Sequence, residues 1–154
     1  MRLIGLDYGD KRIGVAISDA LGLMAHGLEV IEKKSPNSFK SELSRIKQIA
    51  NEYNAEKIVL GFPKSMDNTC GERCNKTLAF RDALQNYFAS QNQKNIIDVI
   101  LWDERLSTVA AGKSLSKSGV SALKQKKIID KMSAVFILQG YLDFINLQKS
   151  KIKS

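Results

Sequence analysis

The chain is short of several residue types, and each shortage excludes something. It has 2 cysteines, 2 prolines and a single histidine in 154 residues. Zinc needs four ligands, and Cys70 and Cys74 have no histidine near them in sequence, so a structural zinc site is excluded and the two cysteines read as free thiols. His26 follows the apolar Leu23-Met24-Ala25 and reads as the start of a strand rather than as a ligand or a base. Aromatic residues are 7% of the chain and scattered, which argues against base stacking as the main mode of recognition. No apolar run approaches the roughly 20 residues that a membrane helix needs. Asp7, Asp10, Lys11 and Arg12 interrupt the first apolar run before it could form a signal-peptide core, so a soluble, cytoplasmic protein with no membrane partner is expected.

What is present suits one domain. An apolar content of 44% over this length supports one packed core and is too little for two ordinary domains. We read residues 1–148 as that domain and residues 149–154 as a basic, frayed tail. The charge is unevenly placed. Residues 1–104 hold 14 Lys/Arg and 14 Asp/Glu, so the net charge of +8 arises wholly from the C-terminal third. There Lys113, Lys117, Lys124, Lys126, Lys127 and Lys131 are interleaved with serine and glycine rather than with acids, the pattern of a surface that faces a polyanion. A merely solubilising face is the plainer alternative.

Three carboxylates interrupt apolar patterning. Asp7 closes Leu3-Ile4-Gly5-Leu6, Glu104 lies just beyond Val99-Ile100-Leu101-Trp102, and Asp130 lies inside the apolar stretch from Ile128 to Leu138. A buried carboxylate must find a cation, and for three of them a divalent metal is the natural candidate. Counting from Asp130 by threes and fours gives Ala134, Ile137 and Tyr141, so the acid falls on the inward face of a helix, with Ser133 and Ala134 small enough for close approach. The alternative is an acid placed to suit the helix dipole near an N-terminus.

Periodicity gives the order of elements. Arg2 to Asp7, Ile13 to Ser18 and Gly27 to Glu32 read as three strands, the first two joined through the turn Gly9-Asp10-Lys11. Phe39 to Tyr53 has helical spacing, Lys57 to Gly61 is a short buried strand, and a second helix is predicted from near Glu72 past Leu84. Ile97 to Trp102 makes a fifth strand, Ser107 or Thr108 caps a third helix, Ser114 to Ser121 reads as a loop, and a last helix runs from about Leu123 to about Leu147. The fold class is therefore α/β: a mixed five-stranded sheet, antiparallel in its first three strands and parallel later, flanked by helices. Asp7 and Glu104 then lie at the carboxyl ends of strands, where open α/β sheets place their sites.

Leu6-Asp7-Tyr8-Gly9 with Lys11-Arg12-Ile13-Gly14-Val15-Ala16, Gly61-Phe62-Pro63, Met66-Asp67-Asn68-Thr69, Asp103-Glu104-Arg105-Leu106-Ser107-Thr108 and Asp130-Lys131-Met132-Ser133-Ala134 together resemble, in order, the motifs of the YqgF/RuvX family. Departures at Phe62, Asn68 and Ser133 touch no acid. The resemblance implies an RNase H-like fold and nuclease activity on the pre-16S rRNA precursor, the family also being described as Holliday-junction-resolvase-like. It also implies that Asp7, Glu104 and Asp130 form the acidic active site.

The chemistry agrees with this. Phosphodiester hydrolysis is served by two Mg²⁺ or Mn²⁺ ions about 4 Å apart, and hard cations take oxygen ligands. Asp7 suits the bridging position and Glu104 and Asp130 one ion each, with Asp10, Asp67 or Asp103 available as a fourth carboxylate. Lys11, Arg12 and Arg105 are expected on substrate phosphates, joined by Lys113, Lys117, Lys124, Lys126 and Lys127. With no heptad seam and no readable apolar interface, a mostly monomeric enzyme acting on single-stranded RNA is favoured over a dimeric resolvase of branched DNA. Two other classes compete: an actin-like ATP-binding protein, which Asp10 in the first turn disfavours, and a non-catalytic RNA-binding protein.

Overall fold

The computed structural model describes residues 2–63, 71–90, 97–103 and 122–153, with the backbone alone for residues 122, 123, 126, 152 and 153. Five strands, β1 (Arg2–Tyr8), β2 (Arg12–Ser18), β3 (Ala25–Glu32), β4 (Ala55–Phe62) and β5 (Asp98–Asp103), form one sheet in the order β3-β2-β1-β4-β5. The β1–β2 and β2–β3 pairs are antiparallel; β1–β4 and β4–β5 are parallel. That is the mixed topology expected from the sequence. His26 falls in the first residues of β3. The predicted helix after Ser107 or Thr108 and the Ser114 to Ser121 loop lie outside the described residues.

Three helices are described: α1 (Lys40–Tyr53), α2 (Glu72–Ser90) and α3 (Ala122–Lys153). Period-2 alternation splits the strand side chains between two layers. Ile4, Leu6, Tyr8, Ile13, Val15 and Ile17 join Ile46 and Ile49 of α1 and Phe80 and Leu84 of α2 in one core cluster. Leu3, Ala16 and Val59, on the opposite face, pack with Ala134, Ile137, Leu138 and Tyr141 of α3. The sheet is thus covered by α1 and α2 on one face and by α3 on the other. The last helix continues to Lys153, past the predicted end near Leu147.

Glycine sets how closely α3 lies on its face. A Cβ at Gly5 of β1 would come within 2.7 Å of the Leu138 Cβ, and one at Gly14 of β2 would lie 2.0 Å from the carbonyl oxygen of Asp130. The second clash is with backbone, which cannot swing aside as a flexible side chain can. Lower along the helix, Trp102 of β5 packs edge-on to Tyr141 and against Phe144, with ring centroids 5.8 and 5.7 Å apart, so the end of β5 is tied to the same helix.

One expectation is corrected. Cys74 is disulfide-bonded, and no described cysteine is free. The only other cysteine, Cys70, lies outside the described residues. Counting ligands excludes zinc but not a thiol pair, which needs two sulfurs and nothing further.

Gly14→Ala should destabilise the protein by about 1–3 kcal/mol, the ordinary range for overpacking. Gly71→Ala, where an added Cβ meets nothing within 4 Å, should fall within about 1 kcal/mol of wild type. Urea denaturation of both variants checks the pair; equal stabilities would deny that α3 is held at closest approach by Gly14.

Candidate active site

Asp7 is the penultimate residue of β1, on the strand face that carries Leu3 and Gly5 and therefore toward α3. Its cross-strand partner is Gly14. Because the Asp130 backbone sits directly on Gly14, pairing register and helix packing together bring Asp130 to the Asp7 side of the sheet. Asp130 lies more than two turns inside α3, so the helix dipole, felt mainly within the first turn, does not account for it. Ala134, Ile137 and Tyr141, one face with Asp130, are all buried. The inward placement read from the sequence therefore holds.

Asp7 is buried and Asp130 partly so, with side chains 9% and 25% exposed. Burial pushes the Asp130 carboxyl above the usual carboxylate range, the hydrogen bond from Arg12 pulls it down, and the nearby charge of Asp7 raises it again. The Asp7 charge thus acts on Asp130, in keeping with the shared neighbour Gly14, which pairs with Asp7 and lies against the Asp130 backbone. Arg12 Nε donates to Asp130 Oδ2 at 3.1 Å, and an Nη of Arg73, from the first turn of α2, lies 4.0 Å from Asp7 Oδ1. Each acid thus has a guanidinium beside it. Tyr8, next to Asp7, stacks on Phe80 of α2 at 4.4 Å between centroids, which fixes the end of β1.

The remaining expected residues divide clearly. Glu104, Arg105, Lys113, Lys117 and Asp67 lie outside the described residues, as does the Lys126 side chain. β5 nonetheless delivers the chain at Asp103, level with Phe62 and two strands from β1, or about 10 Å across the sheet. Arg12, expected on phosphate, is spent at least in part on Asp130. Lys127 lies 3.6 Å from Glu32, and Lys124 is exposed. Asp10 is exposed at the β1–β2 turn, 3.8 Å from Lys76. Lys11 is exposed on the same turn. Arg73, Lys76 and Lys33 were not foreseen; they reach the site from elements distant in sequence and carry no local signature.

Among the described residues no group of three or more His, Cys, Asp and Glu could hold a metal ion; the acid pair stands there without a third member. Its donor chemistry still fits a hard divalent cation. A buried and a partly buried carboxylate offer oxygen ligands alone, and a cation beside them would counter the burial, and the lesser repulsion by Asp7, that raise Asp130.

The RuvX family profile, described as Holliday junction resolvase, matches residues 1–144. The chain belongs to this family. It is 45% identical over 150 residues to a protein of Agathobacter rectalis named "Putative pre-16S rRNA nuclease", spanning 97% of this chain and 100% of that one. A Bacillus pumilus protein of the same name is 48% identical over 147 residues, 95% of this chain and 100% of that one. Among solved structures, the yeast mitochondrial Holliday junction resolvase superposes with a TM-score of 0.52 at 13% identity, covering 91% of this chain and 77% of that one. That likeness is one of fold, and the RuvX member described here has the RNase H-like fold of the resolvases.

The raised Asp130 makes a prediction about pH. Its folded-state proton is held more tightly than the unfolded one, so its contribution to stability falls as pH rises from the ordinary carboxylate range through its own pKa. Asp130→Asn should therefore gain on wild type in urea denaturation between pH 4 and pH 7. A difference that moves toward wild type over that interval would mean that Arg12 more than offsets the burial.

Proposed function

We propose that this chain is a metal-dependent nuclease that hydrolyses phosphodiester bonds in single-stranded RNA, with the ribosomal 16S precursor as substrate, in the cytoplasm. The observation that carries the reading is the proximity of the buried Asp7 of β1 to the partly buried Asp130 of α3, at the end of the sheet where the parallel strands β1, β4 and β5 finish. Membership of the RuvX family and the names of relatives near half identity support the substrate. Among the described residues no helix is long and apolar enough to cross a membrane.

Asp7, Asp130 and Glu104 would hold Mg²⁺ or Mn²⁺, two ions in the full site, and Asp10, Asp67 or Asp103 supplies a fourth carboxylate if one is used. When bound, such ions neutralise charge on the scissile phosphate and lower the pKa of the attacking water. The chain's own residues do the rest. Arg12 orients Asp130 through its Nε, and Arg73 stands over Asp7, where it can meet the phosphate that the acids alone would repel. Arg105, Lys113, Lys117, Lys124, Lys126 and Lys127 complete a cationic path for the strand. The active unit is residues 1–148, acting as a monomer.

Cleavage of four-way DNA junctions is the second reading, favoured by the family description. It needs two sites in a two-fold arrangement, which an RNA-trimming enzyme does not. ATP binding is set aside, since the exposed Asp10 carboxylate occupies the turn where a phosphate loop needs a neutral donor.

Asp7→Asn, Glu104→Gln and Asp130→Asn should each abolish Mn²⁺-dependent cleavage of single-stranded RNA while leaving the apo protein folded, and a chelator should do the same to wild type. Cleavage assays beside thermal melts check this. Full activity in any one variant removes that residue from the site, and cleavage confined to four-way junctions replaces RNA with branched DNA as the substrate.

A further inference from the structure

The β1–β2 turn separates two cavities that share Asp10, Lys11 and Arg12. One, of about 350 Å³, is completed by Gly9, Ile129 and Asp130 and belongs to the acid site. The other, of about 340 Å³, opens on the far side of the turn toward Glu32, Lys33, Lys34 and Ser35 at the exit of β3. Nothing in the proposed chemistry uses the second cavity, yet its charge is unbalanced. Its two acids are met by cations from outside its wall, Glu32 by Lys127 at 3.6 Å and Asp10 by Lys76 at 3.8 Å. Among the described residues no carboxylate lies within ion-pair distance of Lys11, Lys33 or Lys34.

The arrangement is also held in place. The backbone N–H of Lys33 donates to the carbonyl of Lys11 at 2.9 Å, and that of Lys34 to the buried carboxylate of Glu42 at 3.3 Å, so the exit of β3 is tied to the turn and to α1. Lys33 Nζ donates to Tyr8 Oη at 2.9 Å and to the Gly9 carbonyl at 3.3 Å, and lies 4.3 Å from the centroid of the Tyr8 ring. An ammonium has three donors; two are used on the residues that follow Asp7, and one is left. Lys11 and Lys34 are exposed at the rim.

The geometry points to a second phosphate subsite, formed by Lys11, Lys33 and Lys34, that grips the RNA backbone beside the scissile phosphate and across the β1–β2 turn from the acid pair. This rests on the nuclease reading above. A tethered cation, two exposed ones and a cavity that shares Arg12 with the catalytic one suit an anion better than a base, since the aromatic ring within reach, Tyr8, is buried and already stacked. The subsite sets the register of the strand, and through Tyr8 it is one residue removed from Asp7.

The test is the salt dependence of binding by the full chain in the presence of a chelator, so that no cleavage intervenes. The double variant Lys11→Gln/Lys34→Gln should lower the slope of log K against log salt by about 1.4 for a single-stranded oligoribonucleotide, about 0.7 for each lost contact. Lys33→Gln should lower it by about 0.7. The control Lys149→Gln/Lys151→Gln, with the same loss of charge at the exposed end of α3, should leave it unchanged. Equal slopes in all variants, or equal falls in the subsite and control doubles, would overturn the subsite. If wild type binds a four-way DNA junction and not RNA, the RNA reading fails and the same comparison on the junction, at about 0.9 for each lost contact, decides the subsite; binding to neither overturns both.

Discussion

The contact of the α3 backbone with Gly14 is the constraint on which the rest of the molecule turns. Where any other residue would hold the helix away, glycine lets the Asp130 carbonyl sit on β2, and the antiparallel register makes that same glycine the neighbour of Asp7. One close approach therefore does two things. It seals the second core layer, with Ala134, Ile137 and Leu138 fully buried against the sheet, and it determines which residue of the helix reaches the end of β1. Trp102 extends the arrangement to β5 by packing against Tyr141 and Phe144, so β1, β2 and β5 share one helix as their reference.

That packing creates an electrostatic conflict. Burial raises the Asp130 pKa, and the neighbouring Asp7 charge adds to the rise. Arg12 and Arg73 ease the conflict without removing it, one through a hydrogen bond of 3.1 Å and the other from 4.0 Å. Sites that must receive a cation or a charged substrate are commonly less stable than the chain could be, because stability and function ask different things of the same residues. On the proposed reading, a divalent ion at the pair would offset the burial and repulsion that weigh on Asp130.

Much of this could be read from the sequence. The short β-rich apolar segments of β1, β2 and β4 and the Gly9-Asp10-Lys11 turn indicated the sheet, and the spacing of Asp130 with Ala134, Ile137 and Tyr141 indicated the inward face, because both signals are local. The guanidiniums were harder. Arg12 reads as a surface cation in a turn, and only the fold brings it within 3.1 Å of a residue 118 positions away. Arg73 and Lys33 depend on where α2 begins and where β3 ends relative to β1, which no local pattern encodes. The pairing of Lys127 with Glu32, likewise, turns one member of an apparent basic patch into half of an ion pair.

The central claim is that Asp7 and Asp130 form one divalent-metal site, and anomalous scattering from crystals soaked in Mn²⁺ tests it most directly. The account predicts a manganese peak between the two carboxylates, in coordination distance of both, that disappears in Asp7→Asn crystals treated in the same way. Manganese bound elsewhere with the acid pair empty, or a peak that survives the Asp7→Asn change, would contradict it.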